Sequence, residues 1–556
     1  MTKNLPRLLF LTLTLPVLLA AAAEPPHPAT SDAINADDLL ARVKAVSDNV
    51  FEGRGPGTPA GENAAQWIAD EMKRLGIAPG NGESYFQEVP SVTIAMDSST
   101  SSLAILGPDG ERPFKFADEA VWWTPRYDTT KVTIDKAPLV FAGYGVVAPE
   151  ENWNDYAGID VKGKVAIVLI NDPGFITHDD TLFKGRAMTY YGRWSYKFEE
   201  AARQGAAGII IVHETEPASY GWEVVRNSNS GPISYLDTPD KNGSMIALRS
   251  WITHESAADL FKHAGLDYEV LKLAANKRGF KAIEMGKLTV SASMQSTVTR
   301  MTTRNAVGVV TGTKQPDDYV LYQAHWDHLG VKGNLAGADQ IYNGAIDNGI
   351  GVAMVLEIGE AFVKAQTRPE RSVALLFPTL EEQGLLGSEY FAKHPLWPLS
   401  HIVAGINLDG GLPMGKARDM VVVGSDASEL EDVLGETLKM QNRVIAPDPE
   451  PEKGFFYRSD HISLAKVGVP MLDPGGGFGL RDGGTQAGQK VRDTYNRERY
   501  HQPSDEFDPN WDLSGLVDDV NVFYALGRKL ADSELWPNWY RGNEFRAIRD
   551  ASRPSK

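Results

Sequence analysis

Seven residues of this chain have the types and spacing to hold a pair of metal ions. They are His325 and Asp327 in HWDHLG, Asp347 in NGAIDNG, Glu381 and Glu382 in TLEEQG, Asp409 in INLDG and His501 in YHQPSD. Taken singly, a carboxylate or imidazole after a hydrophobic strand is usually a loop or cap residue. Gathered at one rim, such groups would repel one another and lose hydration, and bound cations are the simplest compensation. The chain has no cysteine, so any zinc site must use His nitrogen and carboxylate oxygen. Two zinc ions can share one carboxylate as a bridge, but the attacking water still needs a base that is not itself a ligand. The adjacent glutamates answer that need. Neighbouring side chains at a strand exit point to different sides, so one of Glu381 and Glu382 can bind metal while the other faces the water.

The elements that position these residues are legible from period. After Asn305 the pattern alternates: strand YVLYQAH, helix GVAMVLEIGEAFVKA, strand SVALLFPT, short helix GSEYFAKH, strand IVAGINLD, strand MVVVG, helix ELEDVLGETLKM. The fold class expected is α/β, a largely parallel mixed sheet flanked by helices, with ligands beyond the carboxyl ends of its strands. Two helices are predicted between Ala36 and Leu75, the second stopped by Gly76, with the Gly-rich turn EGRGPGTPAG between them. A β-rich unit is read as an insertion at 136–282, from LVFAGYGVV, VAIVLI and GIIIV with the amphipathic KFEEAARQG before the last. The larger domain then comprises 24–135 and 283–540, closed by a helix over Leu513 to Leu530, and 541–556 reads as a flexible charged tail.

Composition narrows the function classes. A net charge of -18 argues against nucleic acid as a partner, because tracking phosphates needs a dense basic field. Lys3 and Arg7 precede an apolar run from Leu8 to Leu19, followed by four alanines and Pro-rich polar sequence. That is the layout of a cleavable signal over 1–23, and the run is shorter than the ~20 residues a bilayer span needs. A periplasmic or secreted bacterial protein, with no membrane attachment after cleavage, is the expectation.

HWDHLG, IYNGAIDNG, LEEQGLLGS and YHQPSD in this order resemble family 28 of the metallopeptidases, which holds co-catalytic di-zinc aminopeptidases and glutamate carboxypeptidase-like enzymes. The resemblance spans nearly the whole mature chain. It implies two zinc ions per chain, one on His325 and Asp409, the other on Glu382 and His501, with Asp347 bridging. It further implies Glu381 as general acid and base, and Tyr500 as a hydrogen-bond donor to the tetrahedral oxyanion. Asp327 would orient His325, a role the carboxylate-His-metal arrangement predicts on physical grounds as well. FAGYGV, DYAGIDVKGKVAIVL and EEAARQGAAGIIIV in the inserted unit resemble a protease-associated domain, which carries no catalytic residue. The chain departs from the family pattern at Gly349, Ile350 and Gly351 and at Gly410, none of which is a ligand position.

Peptides are the expected substrates, and trimming from the amino end is preferred over carboxypeptidase or dipeptidase action. A non-catalytic receptor-like protein and a zinc-dependent glutaminyl cyclase are the rivals. Ser459, Asp460 and His461 hold the residue types of a serine hydrolase, but consecutive side chains do not form a relay and no G-x-S-x-G elbow is present. The Arg458 to His461 stretch is left between substrate positioning and surface capping. His328 reads as a structural neighbour, PGGGFG lacks the Lys and Ser/Thr of a phosphate loop, and Arg458 or Arg481 is available to clamp a carboxylate.

Overall fold

The computed structural model describes residues 24–333 and 339–553; the expected signal segment lies outside them. The first helix, α1 (Ala36–Val46), is capped by the Asn35 side chain, which accepts from the Asp38 N–H. The second, α2 (Pro59–Leu75), starts on Thr58 with Pro59 at its first position. It ends at Gly76, whose φ of 82° is the left-handed stop expected there. Strands β1 (Phe86–Met96), β2 (Ser102–Gly107), β3 (Ala120–Trp123) and β4 (Lys131–Phe141) follow. Next come β5 (Val165–Leu169), α3 (Trp194–Arg203), β6 (Gly208–Val212), β7 (Ile233–Leu236) and β8 (Leu248–Ile252). The long β9 (Ile283–Val310) leads to β10 (Gln315–Gln323), α4 (Gly351–Lys364), β11 (Arg371–Phe377), α5 (Leu386–Lys393) and β12 (Ile402–Asn407). The last parts used below are β13 (Met471–Leu472), α6 (Ser514–Ala531) and α7 (Arg546–Ser552).

Strand order along the sheet is β13-β12-β10-β11-β9-β4-β5-β6-β8-β3. Two parallel blocks, β13-β12-β10-β11 and β4-β5-β6-β8, are joined through β9, which is antiparallel to both neighbours. In β11, β12, β5 and β6 every residue is buried, which explains their continuous apolar runs. One core packs α1, α2, α4 and α6 on one face of the first block. A smaller one, with Leu376, Phe391, Ile402 and Met471, fills the other face.

Three sequence expectations change. The sheet of the second unit takes in residues ahead of 136, because β3 pairs antiparallel with β8 and β2 with the start of β9. A boundary at 136 cuts through those pairings. MVVVG does not join the main sheet: Asp419–Val422 pairs with Val444–Ala446 and Pro474–Gly476 in a separate small one. The tail is not loose where it is described. Phe545 and Arg549 are 3% exposed, and Arg549 Nη2 donates to the carbonyls of Ile402 (2.9 Å) and Val403 (3.0 Å). Two anchors a helical turn apart hold α7, and the surrounding charge conceals them in the sequence. Arg549→Ala strands two buried carbonyls and is expected to cost about 1–3 kcal/mol in denaturant unfolding; an unchanged midpoint would show that the tail does not contribute.

Candidate metal centre

Each ligand-type residue follows a carboxyl-terminal strand end or a turn facing one. His325, Asp327 and His328 follow β10, Glu381 and Glu382 follow β11, and Asp409 follows β12. Asp347 sits in the turn before α4, and His501 follows the helix Gly484–Glu498 with a left-handed φ of 56°.

The side chains converge on Asp347. His325 Nε2 lies 3.3 Å from Asp347 Oδ1 and 3.3 Å from Asp409 Oδ1. His501 Nε2 lies 3.2 Å from Asp347 Oδ2 and 3.1 Å from Glu382 Oε2. Asp347 therefore turns one oxygen toward each imidazole. A single N–H cannot donate well to two carboxylates at once, so each imidazole faces a pair of acceptors that a cation would satisfy better. The spacings suit zinc: ligand bonds of ~2.1 Å in a tetrahedron put neighbouring ligand atoms roughly 3.4 Å apart. His325 Nδ1 donates to the Asp327 carbonyl at 3.0 Å, which leaves Nε2 as the nitrogen presented to the carboxylates.

Asp327 differs from expectation in how it acts. Its carboxylate is 3.9 Å from His325 Nδ1, its backbone carbonyl takes that hydrogen bond, and its Oδ1 accepts from the Glu381 N–H at 3.1 Å. It thus fixes His325 and Glu381 together. His328 is nearer the site than a bland neighbour: its Nδ1 is 2.6 Å from Glu382 Oε1, and it groups with Asp347 and Glu382 within metal-ligand range. Its Nε2 is buried with no hydrogen-bond partner. Tyr500, 47% exposed, stacks on the His501 ring at 3.9 Å and stands at the rim.

Charge is concentrated here. Burial pulls His501 down, but its contacts with Asp347 and Glu382 outweigh that and raise it to about 9. His325 likewise resists burial and is held well above the usual imidazole range by Glu381, Asp409 and Asp347. Burial pushes Glu382 up, yet His328 and His501 hold it at about 2. Glu381 lacks such donors. Burial drives its carboxyl well above the usual range, opposed by His325 and reinforced by Asp409, Asp460 and Glu382.

Sequence reasoning missed the residues that hold the ligand-type side chains in place. Arg54, in the Gly-rich turn, is fully buried; its Nε donates to the Trp326 carbonyl (2.7 Å) and its Nη2 to that of Gly344 (2.9 Å), tying the His325 segment to the Asp347 turn. Asp505 accepts from the N–H groups of Ile346 (3.1 Å) and Asp347 (3.0 Å). Arg54 between glycines and Asp505 inside YHQPSD were the available signals. Asn348 Oδ1 accepts from Gly410 N–H and its Nδ2 donates to Leu408 O, both at 3.0 Å, clamping the chain on either side of Asp409.

The Arg458 to His461 stretch also finds a role through Ser459. Asn407 Nδ2 donates to Ser459 Oγ (2.9 Å) and to Asp473 Oδ1 (3.0 Å), so the Ser459 hydroxyl must donate onward, to Asp409 Oδ2. That bond fixes the Asp409 carboxylate with Oδ1 toward His325. Ser459→Ala is expected to weaken zinc retention about 10–100-fold in chelator competition, with Ser459→Thr close to native. Equal affinity for the alanine variant would remove Ser459 from the site's support.

Residues 305–525 match the model of peptidase family M28. Over 125 residues the chain is 33% identical to the aminopeptidase NAALADL1 of Mus musculus, covering 22% of this chain and 15% of that one. Over 226 residues it is 28% identical to a vacuolar membrane protease of Arthroderma gypseum, 41% of this chain and 19% of that one. The matched stretches thus span less than a fifth of these relatives. Among solved structures, an aminopeptidase from Aneurinibacillus sp. strain AM-1 aligns with a TM-score of 0.48 and 18% identity, over 90% of this chain and 95% of that one. BSAP, a zinc aminopeptidase from Bacillus subtilis, aligns with a TM-score of 0.43 and 18% identity, over 93% and 98%.

Proposed function

We propose that this chain is a di-zinc exopeptidase that removes residues from the amino end of peptides. The observation that carries the reading is Asp347, one oxygen toward His325 and the other toward His501, with Asp409 and Glu382 completing the two sets. In this reading His325 and Asp409 hold one ion, His501 and Glu382 the other, and Asp347 both. His501 is preferred to His328 because its Nε2 faces both carboxylates, whereas His328 orients Glu382 from behind. Zinc bound here would polarise the scissile carbonyl and acidify a water.

The remaining work falls to the chain's own groups. Glu381 takes the proton of the attacking water and returns it to the leaving amine, and its raised affinity for a proton suits both steps. Tyr500, beside His501 at the rim, donates to the oxyanion. Asp327 holds His325 and the Glu381 backbone in register. The carboxylate-rich rim favours a free amine, in keeping with a relative named as an aminopeptidase. Export by a signal at 1–23 to the periplasm or medium, and a protease-associated character for the second unit, belong to the same proposal. Among the described residues no helix is long and apolar enough to cross a membrane.

Mass spectrometry of a defined peptide set tests the direction. A ladder shortened from the amino end is expected, and one shortened only from the carboxyl end would reverse it. One observation favours that second mode. Arg193, 8% exposed, makes no ion pair among the described residues and has a buried, unpartnered Nε. Burial, then the like charge of Arg458, lowers it to about 10. The segments 188–193 and 451–458 pack together, and the paired positive charge of Arg193 and Arg458 would attract a substrate carboxylate, which would suit carboxypeptidase or dipeptidase action.

A further inference from the structure

A cavity of about 540 Å³ lies on the seam between the second unit and the loop that carries Glu381 and Glu382. Its walls include Trp123, Trp194, Phe198 and Tyr235 on one side and Gln383 and Leu386 on the other. Trp123 and Trp194 meet the Phe198 ring edge-on, at 5.6 and 5.8 Å, and Trp123 Nε1 donates to the Tyr235 hydroxyl at 2.9 Å. The result is a three-sided aromatic recess of a size that suits one small ligand.

One cation in this cavity lacks a counter-ion. Lys466 pairs with Glu199, Lys393 with Glu389, and Arg203 with Glu200. Arg249 forms no ion pair among the described residues. Its guanidinium is stacked 4.8 Å from the Phe198 ring and 5.6 Å from that of Tyr235, and its polar contacts are the neutral Tyr235 hydroxyl and, from Nη2, the Met245 sulfur at 3.6 Å, with no carboxylate among them. Its Nε is buried with no hydrogen-bond partner. A buried donor without an acceptor destabilises the fold, and a guanidinium in a cavity wall can take a carboxylate on its remaining N–H groups. A stacked arginine on an aromatic face is common as plain structure, but such residues usually turn the polar edge to water, and here Nε is sealed from it.

We propose that this cavity is a second ligand site, for a small aromatic carboxylate with its ring among Trp123, Trp194 and Phe198 and its carboxylate on Arg249. The site is separate from the metal centre but touches its loop. Gln383 follows Glu382 directly, and its Oε1 accepts from the Ser234 hydroxyl of β7 at 2.9 Å, so a ligand here bears on the segment holding both glutamates.

The test is calorimetry on the zinc-loaded full-length protein with 3-phenylpropanoate, which has the ring and the carboxylate but neither an amine nor a peptide bond. Saturable binding is expected, and it should persist when a hydroxamate fills the metal centre. Binding should weaken at least about tenfold for 3-phenylpropanamide, which keeps the ring and loses the charge, and similarly for Arg249→Gln. No saturable heat at millimolar ligand, loss of binding to the hydroxamate, or equal affinity for the amide would each overturn the site. The amide comparison uses the native protein, so it stands even if the variant folds poorly.

Discussion

Glu381→Gln is expected to lose turnover by about 10²–10⁴-fold while keeping its metal content. The glutamine fills the same space and can still rest against the Asp327-bound backbone, whose N–H bond to Asp327 Oδ1 does not involve the side chain. What disappears is a group able to take a proton and give it back. Burial and, to a lesser degree, the nearby carboxylates of Asp409, Asp460 and Glu382 favour the protonated form of Glu381, while His325 opposes them and favours the ionised one, which suits the residue to that exchange. Elemental analysis separates the outcomes. Metal retained with activity lost supports a base that is not a ligand, whereas metal lost with activity would move Glu381 into the coordination sphere. Normal turnover in the variant would remove Glu381 as the base, whereas no turnover in the zinc-loaded native protein would favour a receptor-like role for the domain.

The part of the site that could be read from sequence is the part tied to period. A parallel strand buried on both faces has to be apolar along its length, so β11, β12 and the buried second half of β10 declare themselves, and the residues just past them inherit the crevice. Arg54 could not be found that way. It lies about 270 positions from the Trp326 carbonyl it binds, and a hydrogen bond between distant segments leaves no periodic trace. Asp505 and Ser459 are hidden for the same reason, each polar, each in a loop, each meaningful only once the fold brings its partner near. The division into units was blurred by β9, a single 28-residue strand whose first part pairs with β4 and whose last part pairs with β11. Alternation along one strand does not announce that its neighbours change.

Asp347→Asn is expected to have the largest effect on metal, because it weakens both positions with one substitution. The amide keeps the shape and the backbone bonds from Asp347 to Asp505 and Arg54, so the fold should hold. It removes the charge that faces both imidazoles and offers one poor acceptor where two oxygens stood. Zinc content should fall below that of variants altered at only one position, such as His325→Ala, and turnover should fall with it. Proton release gives an independent check. In the metal-free protein His501 is raised to about 9, so at pH 7 it carries a proton that zinc must displace, and apparent zinc affinity should climb as pH rises toward that value. With Asp347 neutral, the first partner that raises His501 is gone, and its titration moves down toward the ordinary imidazole range. Zinc uptake by the variant at pH 7 should then expel fewer protons than uptake by the native protein, measured with an indicator dye. Full zinc stoichiometry together with unchanged proton release in Asp347→Asn would mean that this carboxylate bridges nothing, and that the two imidazoles belong to independent sites.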